Sequence, residues 1–366
     1  MHTLPVKLGK RSYYVKIGYG ILAEAGMHIS RLGIGANGII ITNPKIKRLY
    51  GNILKKSLAG KNINTHTITV PDSEASKSYK IFSRLINRVA ELDKGKRPFI
   101  VAFGGGVIGD LAGFVAAAYR RGVPLVQVPT TLVGQVDSSI GGKVAIDLAI
   151  AKNLVGAFYQ PRIVISDTSL LKTLPRREIN CGLSEIIKYS IIDSKAFFNF
   201  LSRNIGSLKK LQKKNLQYAI MKCCSVKSRV VSADEKDAKG IRAILNYGHT
   251  IGHAIEAASG YKGKYNHGEA IAIGMVAAAG ISKKMKMLSA DEVTKIKNIL
   301  TKACLPVKIK GFKSSKIFEA LSHDKKFIHG VNRLVLPVKI GKVEIIKNVP
   351  EKYIIEAIKE VVAKGE

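Results

Sequence analysis

Phe99-Ile100-Val101-Ala102-Phe103-Gly104-Gly105-Gly106-Val107-Ile108-Gly109-Asp110 is the stretch that decides the fold class of this chain. Five apolar residues in a row read as a buried strand, the pattern of a parallel sheet covered on both faces. Three glycines then turn the chain, and an apolar helical pattern follows. Strand, glycine turn and helix in that order let the pyrophosphate of a ligand approach backbone N–H groups at the positive end of a helix. The spacing also matches G-x-G-x-x-G, but about a hundred residues into the chain, where the usual fingerprint opens the first βα unit. A tight turn with no ligand is the competing reading.

Further short β-branched runs, read as candidate strands, lie at Ile39–Thr42, Thr65–Val70, Leu125–Val128 and Ile163–Ser166. Between two of them Ile81, Leu85, Val89 and Leu92 recur at helical spacing, with Phe82 and Ile86 widening the apolar stripe. This alternation predicts a mostly parallel sheet layered with helices. After Leu174-Pro175 the patterns become long and helical, and β-type runs return only near Arg333–Val338 and Lys342–Ile346. The predicted division is therefore an α/β domain over 1–174 and a mainly helical domain over 175–366.

The helical half contains polar residues where burial is expected. Within Leu245–Glu256, residues Asn246, His249, His253 and Glu256 are separated by three, four and three positions, so a helix there puts them on one face. A metal, another ligand or a satisfied hydrogen-bond network could each partner such a stripe. His267-Gly268-Glu269 opens the apolar helix that begins at Ala270. Glu185 and Lys188 lie one turn apart, and Ile186, Ile187, Ile191 and Ile192 around them argue against a merely exposed ion pair. One carboxylate with two imidazoles leaves a position open on Zn²⁺ or a similar ion, the composition of a catalytic site. Spacing does not choose among His249, His253 and His267.

Bulk properties narrow the class. A chain of 366 residues with 46% apolar residues can bury a real core. The net charge of +34 would attract polyanions at low salt. Its lysines, however, are spread along the whole chain and match no nucleic-acid-binding motif, so solvated helix faces account for them and no specific nucleic-acid partner is expected. The first residues carry no apolar signal-type run, and Ala270–Ile281 falls short of the roughly 20 residues a bilayer-spanning helix requires. Four cysteines without a CxxC pair are expected to be reduced thiols. The expectation is a cytoplasmic protein without a membrane partner.

Several segments, in order, carry a resemblance: Pro71–Ser78 (PDSEASKS), Gly104–Phe114, Gln127–Lys143, Ala151-Lys152-Asn153, Ser184–Lys188, Asp234–Arg242, Leu245–Glu256, His267–Met275 and His323–Lys326. Together they resemble the 3-dehydroquinate synthase family of sugar-phosphate cyclases. The resemblance implies a Rossmann-like α/β NAD-binding domain followed by a mostly α-helical metal-binding domain. It also implies conversion of 3-deoxy-D-arabino-heptulosonate 7-phosphate into 3-dehydroquinate and phosphate. Transient oxidation by NAD⁺ would acidify a hydrogen next to the leaving phosphate, and elimination, re-reduction and intramolecular aldol closure would follow.

The same resemblance implies site residues. The ligands of one divalent ion, Zn²⁺ or Co²⁺, fall on Glu185, His249 and His267. NAD contacts fall on Asp72, Ser73, Glu74, Ala75, Ser76 and Lys77, on Gly105, Gly106, Val107, Ile108, Gly109 and Asp110, on Thr130 and Thr131, and on Leu170, Leu171, Lys172 and Thr173. Lys143 and Lys152 stand beside cofactor and substrate. Substrate contacts carry over to Asp137, Lys143, Asn153, Lys188, Lys227, Arg242, Asn246, His253 and one of Lys325 or Lys326. His253, Lys188, Asp137 and Lys143 form the implied catalytic group. Arg121 matches a residue that reaches into the neighbouring subunit's site, which implies a homodimer. Ser73 in place of glycine, the Val133-Gly134 variation and one extra residue within Asp234–Arg242 depart from the family pattern. A valiolone- or deoxy-inosose-forming cyclase is the nearest rival, an alcohol dehydrogenase a more distant one, and a basic RNA-binding protein the remotest.

Overall fold

The computed structural model describes residues 1–148, 150–259, 264–322 and 332–363. Internal contacts divide the chain into two units, Met1–Leu174 with Lys227–Lys236, and Pro175–Val226 with Asp237–Glu366. The division is thus not a single cut, because ten residues from the second half of the sequence pack with the first unit.

The first unit contains β1 (His2–Val6), β2 (Tyr13–Gly18), α1 (Ala25–Ser30), β3 (Asn37–Thr42), α2 (Pro44–Ala59), β4 (Asn64–Thr69) and α3 (Tyr79–Asp93). It continues with β5 (Phe99–Gly104), α4 (Gly106–Ala118), β6 (Leu125–Pro129), β7 (Lys143–Leu148), β8 (Ala151–Phe158) and β9 (Ile163–Asp167). A seven-stranded sheet runs in the order β1-β2-β9-β6-β5-β3-β4. Only the β1–β2 pairing is antiparallel.

Two apolar layers explain the continuous run at Phe99. Phe99, Val101 and Phe103 pack with Leu54 and Leu58 of α2, while Ile100 and Ala102 pack with Leu85 and Val89 of α3 and Leu111 and Val115 of α4. Successive side chains of a strand alternate faces, so a strand covered on both must be apolar at every position. The five expected runs are all strands of this sheet.

Four strands lie outside those expectations. β1 is largely exposed and contains Pro5, as an edge strand can. β2 alternates buried Tyr13, Val15 and Ile17 with exposed Tyr14 and half-buried Lys16. The hairpin β7–β8 forms a separate antiparallel pair, and β8 is exposed along most of its length, so burial writes no alternation into its sequence.

Strand order reverses between β3 and β5: β3 is followed in the chain by β4 on one side, and β5 by β6 on the other. Ligands of open α/β sheets bind outside the carboxyl ends of the strands at such a reversal. The turn Gly104-Gly105-Gly106 leaves β5 there, with Gly105 as N-cap of α4.

The second unit contains α5 (Arg176–Asp193), α6 (Lys195–Lys209), most of α7 (Lys213–Ala233), α8 (His249–Ala258), α9 (His267–Lys284), α10 (Ala290–Lys302), α11 (Ser314–Ser322) and α12 (Glu351–Val361). A two-stranded ribbon, β10 (Arg333–Lys339) with β11 (Lys342–Lys347), is its β component. α9 is buried nearly all round, which accounts for its unbroken apolar run. It packs against α8 through glycines. A Cβ on Gly252 would lie 2.7 Å from Ile271 Cδ1, and one on Gly248 would lie 2.9 Å from the Met275 amide nitrogen. Gly248 also has φ +78°, a conformation that glycine adopts without penalty.

No disulfide joins any of the four cysteines. Among the described residues no helix is long and apolar enough to cross a membrane.

Candidate functional site

In the second unit α5, α8 and α9 bring Glu185, His249 and His267 together, with one ligand atom from each lying within 4.8 Å of the others. His249 Nε2 stands 3.6 Å and His267 Nε2 3.4 Å from the same carboxylate oxygen, Glu185 Oε1. Glu185 is fully buried, His249 nearly so, and the His267 ring is partly open. A second group, His253, Glu256 and His267, meets the same distance test and shares His267.

Neither Glu185 oxygen accepts a hydrogen bond of good geometry, although both are buried. The Lys188 ammonium, itself buried, closes on Oε2 as an ion pair one turn along α5. Burial alone would raise the Glu185 carboxyl, but the Lys188 ammonium first, and then the two imidazoles, hold it well below the usual carboxylate range. Burial, reinforced by Lys188, pushes His249 well below the ordinary imidazole value, which keeps a lone pair for coordination. For His267 burial pulls downward, and the carboxylates of Glu185 and Glu256 overcome it, raising the group to about 10.

A buried carboxylate oxygen, Glu185 Oε1, faced by two imidazole nitrogens while Lys188 pairs with the other oxygen, fits a divalent ion. Such an ion would sit against Oε1, and one carboxylate plus two imidazoles is a donor set that leaves a position open.

Local structure explains the alignment. Gly268 lets the first turn of α9 close on α5: a Cβ there would lie 2.4 Å from Cys181 Cα, and the Gly268 N–H donates to Cys181 Sγ at 3.1 Å. His267 opens α9 directly after the N-cap Asn266. The Asn266 side chain accepts from the Glu269 N–H, and Glu269 accepts from the Asn266 N–H, both at 2.9 Å, completing a capping box. Arg177 of α5 grips the same Glu269 carboxylate with two bonds, at 2.8 and 2.6 Å. His249 opens α8, and its Nδ1 lies 3.1 Å from the Tyr247 carbonyl oxygen. The buried Tyr247 hydroxyl donates to the Met275 carbonyl of α9 at 2.9 Å.

The polar stripe is shorter than its spacing predicts. His249, His253 and Glu256 lie along α8, but Asn246 ends a separate 3-10 turn, Ile241–Asn246. Tyr247 and Gly248 intervene; Gly248 is the left-handed N-cap of α8, and a Cβ on it would meet the backbone of α9 at Met275 and Ile271. Arg242 lies buried in the same turn.

In the first unit the residues expected to hold a dinucleotide follow the carboxyl ends of parallel strands. Asp72–Lys77 follow β4, Gly105–Asp110 follow β5, Thr130 and Thr131 follow β6, and Leu170–Thr173 form a 3-10 turn after β9. The Thr130 N–H donates to the Gly104 carbonyl at 2.9 Å, and a Cβ on Gly105 would lie 2.9 Å from Thr131 Cγ2. Asp72 accepts from the Asn43 amide at 2.9 Å.

Lys77 ties two of these segments to the β7–β8 hairpin. Buried to 4% exposure, its ammonium donates to Asp110 at 2.8 Å and to Asn153 of the β7–β8 hairpin, with Asp147 at 4.0 Å. Burial alone would lower the Lys77 ammonium, but Asp110, with Glu74 and Asp147 behind it, holds it above the ordinary lysine value. Lys152 reaches to within 3.9 Å of Glu74, and Lys143 opens β7 on an exposed position. Asp137 sits in a π-turn, Gly134–Ser138, and pairs with Lys227, whose ammonium also donates to the Asp137 carbonyl at 2.9 Å. Arg121 is exposed, with φ +62°. Lys325 and Lys326 lie outside the described residues. Asp147, which receives the Asn153 N–H at 2.7 Å, was not signalled by any sequence pattern.

Comparison with known proteins places this architecture among the sugar-phosphate cyclases. The crystal structure of 2-deoxy-scyllo-inosose synthase complexed with carbaglucose-6-phosphate, NAD⁺ and Co²⁺ is similar at a TM-score of 0.87 and 30% identity, over 98% of this chain and 100% of that one. Within that class, the chain belongs to the 3-dehydroquinate synthase family. The family models for the N-terminal and C-terminal parts of 3-dehydroquinate synthase match residues 67–181 and 182–327. The 3-dehydroquinate synthase of Pelotomaculum thermopropionicum is 43% identical over 97% of this chain and 96% of its own length. That of Desulforamulus reducens is 41% identical over 98% of this chain and 100% of its own.

Proposed function

We propose that this protein converts 3-deoxy-D-arabino-heptulosonate 7-phosphate into 3-dehydroquinate and inorganic phosphate, working in the cytoplasm as a homodimer with NAD and one divalent ion, Zn²⁺ or Co²⁺. The observation that carries this reading is the Glu185–His249–His267 cluster, whose buried carboxylate lacks hydrogen-bond donors of good geometry. When bound, NAD⁺ takes up a hydride and returns it while the ion acts as a Lewis acid on hydroxyl oxygens, so the cycle has no net redox change.

The residues of the chain supply the rest. Glu185, His249 and His267 are assigned to the ion, and His253, on the same face of α8, to proton transfer at the C5 hydroxyl, since an imidazole exchanges protons near neutral pH. Arg242 and Lys227 are assigned to the substrate carboxylate, where charge-assisted hydrogen bonds are strongest. Lys143, Asn153 and Asn246 are assigned to the phosphate, together with whichever of Lys325 and Lys326 reaches it, and Lys152 beside them. Lys188 and Asp137 are assigned to holding the substrate in register. Asp72–Lys77, Gly105–Asp110, Thr130, Thr131 and Leu170–Thr173 are assigned to the dinucleotide, and Arg121 to the site of the neighbouring subunit.

A phosphate-release assay tests the reading. Release from the heptulosonate phosphate should require NAD⁺, stop with a chelator and leave no accumulated NADH. Accumulating NADH would make the protein a dehydrogenase instead. Release only from a hexose phosphate without a carboxylate would make it a deoxy-inosose-type cyclase.

A further inference from the structure

His267 is the one ring shared by both candidate ligand sets, and the two sets use its opposite nitrogens. Nε2 lies 3.4 Å from Glu185 Oε1, whereas Nδ1 lies 3.5 Å from Glu256 Oε2. A neutral imidazole has one N–H and one lone pair, so the group that takes the proton on one nitrogen decides what the other can bind. At His249 the decision is visible: Nδ1 meets the Tyr247 carbonyl, which can only accept, and Nε2 is left for the cluster around Glu185.

Glu256 stands to His267 as the Tyr247 carbonyl stands to His249. It lies on the half-buried side of α8, seven residues after His249 and hence on the same helical face. A carboxylate there accepts from Nδ1–H and leaves the Nε2 lone pair facing Glu185. The alternative, with Glu256 as a ligand alongside His253 and His267 Nδ1, would put the proton of that ring on Nε2, toward Glu185, and leave the Nε2 lone pair of His249 facing the same carboxylate oxygen with no cation between them. Ligating histidines generally give their second nitrogen to a carboxylate or carbonyl, which fixes both ring orientation and tautomer.

We infer that Glu256 is a positioning residue for the metal centre, holding His267 with Nε2 toward the ion rather than binding the ion itself. The inference rests on the proposed assignment of Glu185, His249 and His267 as the ligands. Loss of such a partner typically weakens metal affinity by about 10–100-fold.

The test is competition between the full-length protein and a chromophoric chelator for Co²⁺, with circular dichroism to verify folding. Glu256→Ala should bind Co²⁺ 10–100-fold more weakly, and Glu256→Gln, whose amide oxygen still accepts from Nδ1–H, should recover most of that loss. The visible Co²⁺ spectrum of the Gln variant should match that of the parent, since the inner ligands are the same. His267→Ala and Glu185→Gln serve as controls and should lose the ion. If they lose it while Glu256→Ala binds as the parent does, Glu256 has no positioning role. If Glu256→Gln changes the Co²⁺ spectrum, or if His253→Ala abolishes binding, Glu256 belongs to the inner set and the inference is overturned. Full binding by Glu185→Gln and His267→Ala would instead remove the ligand assignment beneath it. Should Glu256→Ala fail to fold, Glu256→Met, which keeps the side-chain length without an oxygen acceptor, takes its place, with the same weakening expected and parent-like binding overturning the inference.

Discussion

The carbonyl oxygen of Gly248 occupies the space that a side chain on Gly274 would need: a Cβ built there would lie 2.0 Å from it. Both atoms are backbone or fixed to it, so the clash cannot be relieved by a rotamer change. The contact sets the separation between α8, which carries His249, and α9, which carries His267.

Gly274→Ala should therefore act on stability and on the metal cluster together. Overpacking of this kind costs about 1–3 kcal/mol, and α8 must shift to admit the methyl group. Thermal melts and bound-metal content measured on one preparation check this. A variant with the parent's melting temperature and full metal would show that the helices have slack that the packing denies.

His249→Ala should abolish stoichiometric metal binding while leaving the α/β unit folded, because the residue opens a helix and sits among the atoms that face Glu185. Elemental analysis of the purified variant provides the measurement. In the parent, chelation should lower the melting temperature, since an ion that binds only the folded state stabilises it by mass action. Equal melting temperatures with and without chelator would contradict a metal held by the folded protein.

Lys77→Met should weaken NAD⁺ binding at least tenfold by calorimetry. The ammonium is the common donor to Asp110 at the start of α4 and to Asn153 on the β7–β8 hairpin, and its loss leaves Asp110 without its charge partner. The half-buried carboxylate must then find water or move, at a cost of about 1–3 kcal/mol. An unchanged dissociation constant would detach this network from coenzyme binding.

Asp93→Asn should destabilise the protein at neutral pH and much less in acid. The carboxylate accepts from the Tyr119 hydroxyl at 2.7 Å and from the Arg97 N–H at 2.9 Å, and pairs with Arg120 at 2.6 Å. Burial would raise this carboxyl, yet Tyr119, Arg120 and Arg97 hold it below the usual range. A group whose folded pKa is depressed contributes stability above its unfolded value, about 3.9, and loses it as pH falls through the folded one. Urea midpoints of parent and variant should differ at pH 7 and converge only as pH falls from about 3.9 through the depressed folded value. A difference that stays constant with pH would mean the loss is packing alone.

The layered sheet was legible because burial on both faces forces a continuous apolar run, as at Phe99–Phe103, while the edge strand β4 showed itself through its β-branched residues. The hairpin β7–β8 was not, since an exposed ribbon places little constraint on its residue types. In the helical half, spacing put His249, His253 and Glu256 on one face but also drew in Asn246. At Gly248, where the stripe breaks, the chain lies against Ile271 and Met275 of α9, more than twenty residues further along the chain.

The order of residues along the chain was enough to determine the α/β character of the first half, the glycine turn, the apolar α9 and the types of donor available, because local periodicity and turn chemistry act over a few neighbouring positions. Only the tertiary structure decided that Glu185, His249 and His267 converge, that Glu256 faces the second nitrogen of His267, and that Lys77 is buried against Asp110. Those relationships join segments remote in sequence. They depend on how closely α5, α8 and α9 can approach, and that distance is set by Gly248, Gly268 and Gly274, where a missing side chain leaves no periodic signal.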